Sequence, residues 1–234
     1  MHNPKKDAAG MAEKRKRIQD AAFRLFVQAG IESVSLEEVA RASGVGIATV
    51  YRYFGSKLDL VMAINMEQWK GALDGIVSSG TERRDWTGAQ LFAFYLDSFL
   101  ILYRNHRDLL RFNQFFNIYV QRLNGEDGKV DAYSHMIDGL GETFRKAWKK
   151  GGADGTLRTD IPWEYAFSTS LHLMLAALTR YAVGLIYQMP AGSDPKAELR
   201  ALRDMLMIRY TTPRGRQPNS SEYTDNPHGI GQVI

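Results

Sequence analysis

The sequence predicts an all-α chain, with an N-terminal three-helix unit followed by a larger helical domain. Three observations lead there. Apolar residues recur every three or four positions through most of the 234 residues, nothing beyond the first quarter alternates as a strand would, and helix-start and helix-stop residues follow closely in the first sixty positions. The divisions expected are a disordered segment at 1–10, a first domain at 11–57, a second at 58–212 and a disordered tail at 213–234, where Pro, Gly, Asn and Ser accumulate.

The opening decapeptide is polar, and a basic run, Lys14 to Arg17, follows it. Ile18, Ala22, Leu25, Phe26 and Ala29 then give a first helix one apolar face, which Gly30 stops. Ser35, with Glu38 three positions on, forms a capping box, so a short helix begins there, turns Val39 and Ala40 inward and ends at Gly44. After Val45 and Gly46, a two-turn helix from Ile47 to Phe54 buries Val50 and Phe54 and leaves Thr49, Tyr51, Arg52 and Tyr53 outward.

Two short helices joined by a glycine turn make a helix-turn-helix, whose second helix enters the DNA major groove. Hydroxyls at Thr49, Tyr51 and Tyr53 suit phosphate oxygens, and Arg52 suits phosphate or the O6 and N7 edge of guanine. Lys57 opens the next helix toward the same phosphates. A surface helix with half-buried tyrosines is the plainer alternative for this segment alone.

From Ile18 through Leu60 the chain resembles the N-terminal domain of the TetR family of transcriptional repressors. The likeness rests on the first helix ending in Phe26 and Gly30, on Ser35-Leu-Glu-Glu-Val-Ala40, and on Gly44-Val45 followed by Thr49-Val-Tyr-Arg-Tyr-Phe54 and Ser56-Lys57. It implies DNA contacts from Lys14, Arg17, Ser35, Gly46, Ile47, Ala48, Thr49, Tyr51, Arg52, Tyr53 and Lys57. One position departs: the family usually has Ser where Gly46 stands, and glycine supplies no capping hydroxyl. The charge agrees, since residues 1–57 carry ten Lys/Arg against six Asp/Glu, whereas the remainder balances.

Ser56 and Asp59 start a helix to about Val77, long enough at ~1.5 Å per residue to link two domains, and a loop at Ser78–Asp85 follows. Further helices are expected at Thr87–Tyr103, Leu109–Leu123 and Val130–Lys149, the last ended by Gly151-Gly152 after a turn at Gly125–Gly128. Trp163–Tyr187, apolar nearly all round between Leu171 and Ile186, and Lys196–Tyr210 complete the set. The resemblance implies that these last two helices pair with their twins in a homodimer; a single subunit could also bury the same residues internally.

Large apolar residues at helical spacing read first as core, and some also suit the wall of an effector pocket. Trp69, Tyr95, Phe99, Phe116, Tyr119 and His172 are the candidates for binding a small hydrophobic or aromatic effector. His172, between two leucines, reads as an interior histidine rather than a base. The chain has no cysteine, no apolar leader and no membrane-length run, and a cytoplasmic location is expected. No catalytic motif stands out, and five scattered histidines show no metal-ligand spacing, so neither catalytic residues nor a cofactor or metal is expected. The reading is a repressor of a palindromic double-stranded DNA operator, not an enzyme. Its rivals are an all-helical enzyme using the aromatic cavity and an architectural DNA-binding protein without an effector.

Overall fold

The computed structural model describes residues 4–80, 85–123, 131–185, 187 and 192–216. Among these, nine α-helices follow one another: α1 Pro4–Ala29, α2 Leu36–Ser43, α3 Ile47–Phe54, α4 Lys57–Gly80, α5 Gly88–Asn105, α6 Arg107–Arg122, α7 Asp131–Ala153, α8 Trp163–Val183 and α9 Pro195–Tyr210. An isolated antiparallel bridge, Leu157 to Thr211, is the extended pairing found among them. No described helix is long and apolar enough to cross a membrane. The chain divides into two compact units, Met1–Gly71 with Arg111–Ser134, and Ala72–Leu110 with His135–Ile234.

In the first unit, Ile18, Ala22 and Phe26 of α1, Val39 of α2, Val50 and Phe54 of α3, and Leu60, Val61 and Ile64 of α4 share one buried core. Each large side chain so buried contributes ~1.5–3 kcal/mol. The unit reaches beyond residues 11–57 because Phe112 and Phe116 of α6 are also in that core, Phe112 lying 5.5 Å from the Phe23 ring and 6.4 Å from that of Phe26. α1 begins at Pro4, not after Gly10, with proline in the first turn, where its missing N–H costs nothing.

In the second unit α5 is held at its N-terminus from two sides. Its own capping box joins Thr87 and Gln90, and from the end of α7 the Asp154 carboxylate accepts from Gly88 N–H at 2.8 Å while the Thr156 hydroxyl accepts from Ala89 N–H at 3.0 Å. α7 does not stop at Gly151-Gly152 but runs to Ala153. Those glycines serve packing: a Cβ on Gly88 would lie 2.0 Å from Gly151 Cα, and one on Gly151 would lie 2.4 Å from the Leu157 side chain. On the far side of α5, Arg203 of α9 forks onto Asp97, at 2.9 Å and 3.2 Å.

α8 ends at Val183, earlier than Tyr187, and Gly184 follows in a positive-φ conformation. His172 is exposed rather than interior. It shares an exposed face of α8 with Tyr165, Leu173 and Val183, so the helix looks apolar all round because two different faces need cover. The turn at 125–128, most of the loop around 81–84 and the tail from 217 lie outside the described residues.

Candidate nucleic-acid interface

The interface is built on α2, α3 and the turn between them. Ser35 caps α2: its Oγ accepts from Glu38 N–H at 3.2 Å, and the Glu38 carboxylate accepts from Ser35 N–H at 2.7 Å. Those bonds hold the Glu38 carboxyl below its ordinary pKa. Gly44 closes α2 in the left-handed region, φ +66°, where only glycine is comfortable. α3 then starts at Gly46 with no side-chain cap, which leaves the Ile47 and Ala48 N–H groups without an acceptor among the described residues at the positive end of the helix.

Along α3, Gly46, Ala48, Tyr51 and Arg52 are exposed, Tyr51 by 50 %, and Ile47 and Thr49 are half-buried. Tyr53 departs from the outward set because its ring is partly buried against the core. Arg52 sits over that ring at 5.7 Å, so the two side chains support one another beside the open face.

Of the basic run, Lys14 is exposed and Lys16 pairs with Asp20 and Glu67. Arg17 turns to the protein, its Nη2 donating to the Ser43 carbonyl at 2.7 Å at the end of α2. Arg15, which the sequence did not single out, donates to the Tyr53 carbonyl at 3.0 Å and lies 4.5 Å from the centre of the Phe54 ring. It therefore clamps the C-terminal end of the recognition helix, where a cation is also favoured by the helix dipole. The signal was weak: consecutive residues on a helix point 100° apart, so only one of four cations can face α3.

Lys57 is also drawn inward. Its ammonium lies 3.4 Å from the Glu32 carbonyl, 5.6 Å from the Tyr119 ring centre and 5.9 Å from that of Phe26, and burial lowers its pKa against the pull of Glu32 and Glu38. Arg122, one turn beyond Tyr119 on α6, bonds the Glu32 carboxylate at 2.5 Å.

An exposed recognition helix on a capped, glycine-turned pair is the geometry of a DNA reader, and residues 18–64 match the model of the bacterial regulatory proteins, tetR family. The chain is thus similar to the tetR family over residues 18–64. Over 176 residues it is 27 % identical to the HTH-type transcriptional repressor KstR2 of Rhodococcus jostii, covering 70 % of this chain and 78 % of that protein. An HTH-type transcriptional regulator of Staphylococcus aureus is 42 % identical over 48 residues, 20 % of this chain and 26 % of its own length. The fold is also that of the ketosteroid transcriptional regulator KstR2 of Mycobacterium tuberculosis, with a TM-score of 0.60 at 12 % identity, covering 85 % of this chain and 95 % of that one.

The six effector candidates divide between the units. Trp69, Phe116 and Tyr119 lie in the first, where Phe116 is core; Tyr95, Phe99 and His172 lie in the second. The structure brings Tyr95 and Phe99 together edge to face at 5.2 Å, with Phe144 4.9 Å from Tyr95 and Phe92 and Phe167 each 6.3 Å away. Within this box the Tyr95 hydroxyl is buried with no hydrogen bond of ordinary geometry among the described residues, although the Ser170 hydroxyl is close enough to ease its ionisation. Burial outweighs that and drives the phenol's pKa up, so the group stays a neutral donor. No set of three metal-ligating side chains occurs among the described residues.

Proposed function

We propose that this regulator is a repressor that binds a palindromic operator as a homodimer and is released by a small hydrophobic or aromatic effector. Residues 11–57 read DNA, and 58–212 bind effector and partner. The observation that carries the reading is the open α3 face: Ala48, Tyr51 and Arg52 stand clear of the protein beside an uncapped helix N-terminus, and Thr49 is half-exposed. Arg52 is assigned to base edges, and Thr49, Tyr51 and the free N–H groups to phosphate. Ser35, Tyr53, Arg17 and Lys57 act as supports of that face as much as contacts.

Dimerisation is assigned to α8 and α9. Tyr165, Leu173 and Val183 on one, and Met205 and Ile208 on the other, stay exposed, Tyr165 by 56 % and both α9 residues by 59 %. Apolar faces of that kind call for a second surface. The effector is assigned to the aromatic box, where the buried Tyr95 hydroxyl has a hydrogen bond to offer. The relation to two KstR2 proteins, one described as a ketosteroid regulator, supports an apolar ligand carrying an oxygen acceptor. Within the first unit Tyr119 and Arg122 of α6 meet Lys57 and Glu32, which ties α6 to the start of α4, and an effector that favours the non-binding arrangement weakens DNA affinity by linkage.

A gel shift against the DNA flanking the chain's own gene, with and without a ketosteroid, tests this. The protein should retard that DNA, Arg52→Ala should relax its sequence preference, and Tyr51→Ala should weaken all sequences alike. If neither variant changes affinity, α3 is not the reader; if Tyr95→Phe responds to the steroid as the parent does, the aromatic box is not the effector site.

A further inference from the structure

The open α3 face leaves two guanidinium groups of the first unit without a role, Arg24 and Arg41, and both lie beside Arg17. Arg17, Asp20 and Arg24 of α1, with Arg41, Ser43 and Gly44 at the end of α2, line a groove of ≈ 400 Å³. Arg17 and Arg24 are two helical turns apart on one stripe of α1, and Arg41 comes from the facing helix. Arg17 is fixed there by its bond to the Ser43 carbonyl, and its guanidinium lies where a Cβ on Gly44 would be 3.0 Å away. Asp20, the one acid in the lining, is taken by Lys16. Arg24 and Arg41 are exposed and have no acceptor among the described residues.

Three guanidinium groups lining one opening repel each other, and an anion held there relieves the repulsion. Guanidinium forks match the paired oxygens of a phosphate better than a point charge does. Apart from Ala42 and Gly44 every lining residue carries a polar side chain, and the volume exceeds that of a single phosphate and admits two linked ones. We propose that this groove is a second phosphate-binding site, separate from the recognition helix, that takes a phosphodiester or oligophosphate group. Two sources share that chemistry: the backbone of a bound duplex and a free phosphorylated small molecule.

Two titrations of the full chain separate them, one with tripolyphosphate at low salt and one with a short duplex of random sequence over a range of NaCl. Arg24→Gln/Arg41→Gln should weaken tripolyphosphate binding by about tenfold or more, as expected for losing charge-assisted hydrogen bonds. If the backbone is the source, the variant should also flatten the slope of log affinity against log salt by about two, at ~0.9 per phosphate contact. An unchanged slope with lost tripolyphosphate binding assigns the groove to a free ligand. Arg24→Lys/Arg41→Lys, which keeps charge without the fork, should fall between parent and double variant. Should the parent bind neither probe, or should parent and glutamine variant match in both titrations, the site does not exist. Binding of tripolyphosphate without any duplex binding would uphold the groove while defeating the DNA-reading assignment.

Discussion

Replacing Gly46 with serine should make the helix-turn-helix unit more stable and its hold on DNA tighter. Gly46 has φ −73° and ψ 150°, ordinary extended backbone that any L-residue adopts, and a Cβ there would meet nothing within 4 Å. The position therefore gains a side chain without strain. A serine Oγ can accept from Ala48 N–H, one of the two donors α3 leaves open, while its own proton points outward to a phosphate oxygen. The cap is worth a few tenths of a kcal/mol over glycine, and the reduced freedom of the unfolded chain adds ~0.4–1 kcal/mol. The sum, about 1 kcal/mol, corresponds to a rise of ~2–4 °C in melting temperature for a chain of this size. A far-UV circular dichroism melt reads the first effect. Fluorescence anisotropy with operator DNA reads the second, expected at roughly twofold to tenfold from one added hydrogen bond. A melting temperature that stays put or falls would show that α3 does not start at Gly46, and weaker DNA binding would show that this end of the helix does not face phosphate.

Other positions expose the packing to test. Gly88→Ala forces a methyl into the backbone of α7 at Gly151, so it should destabilise by ~1–3 kcal/mol, and a urea midpoint equal to the parent's would disprove the close crossing. Asn65 is fully buried, with both amide atoms lacking a partner among the described residues, and Asn65→Leu should therefore stabilise by ~1–2 kcal/mol in the same denaturation; a loss instead would mean that the amide is satisfied in solution. Asp154 is held below its ordinary pKa of 3.8: desolvation pushes its carboxyl up, but hydrogen bonds from Thr156 and Gly88 prevail. That stabilisation is complete above the ordinary value and is lost as pH falls through the lowered one, so the stability gap between the parent and Asp154→Asn should close on acidification. A constant gap in melts from neutral to acid pH would refute the assignment.

Local signals were the legible ones. Ser35 with Glu38, Gly44 and the Val50–Phe54 pair fixed α2 and α3 to the residue, because caps and two-turn faces depend on near neighbours. Side-chain destinations were not legible in the same way. Arg15, Arg17 and Lys57 look alike in the sequence, yet the first clamps α3, the second closes α2 and the third lies against α6. Only the tertiary arrangement distinguishes them. Gly151-Gly152 read as a stop because glycine ends helices often; here it marks where α5 comes close, which no local rule distinguishes from termination. His172 misled because neighbouring leucines imply an interior only when a helix has a single apolar face.

The end of α9 has a practical meaning for anyone shortening this protein. Arg158 N–H reaches the Tyr210 carbonyl, Thr212 N–H and hydroxyl reach the carbonyls of Thr156 and Gly155, and Arg216 folds back to Ile208 and Thr211. These residues are stitched to the very loop whose Asp154 and Thr156 seat the first turn of α5. A chain cut at Tyr210 would thus unpick a seam rather than trim a loose thread, whereas one kept through Arg216 would retain these stitches.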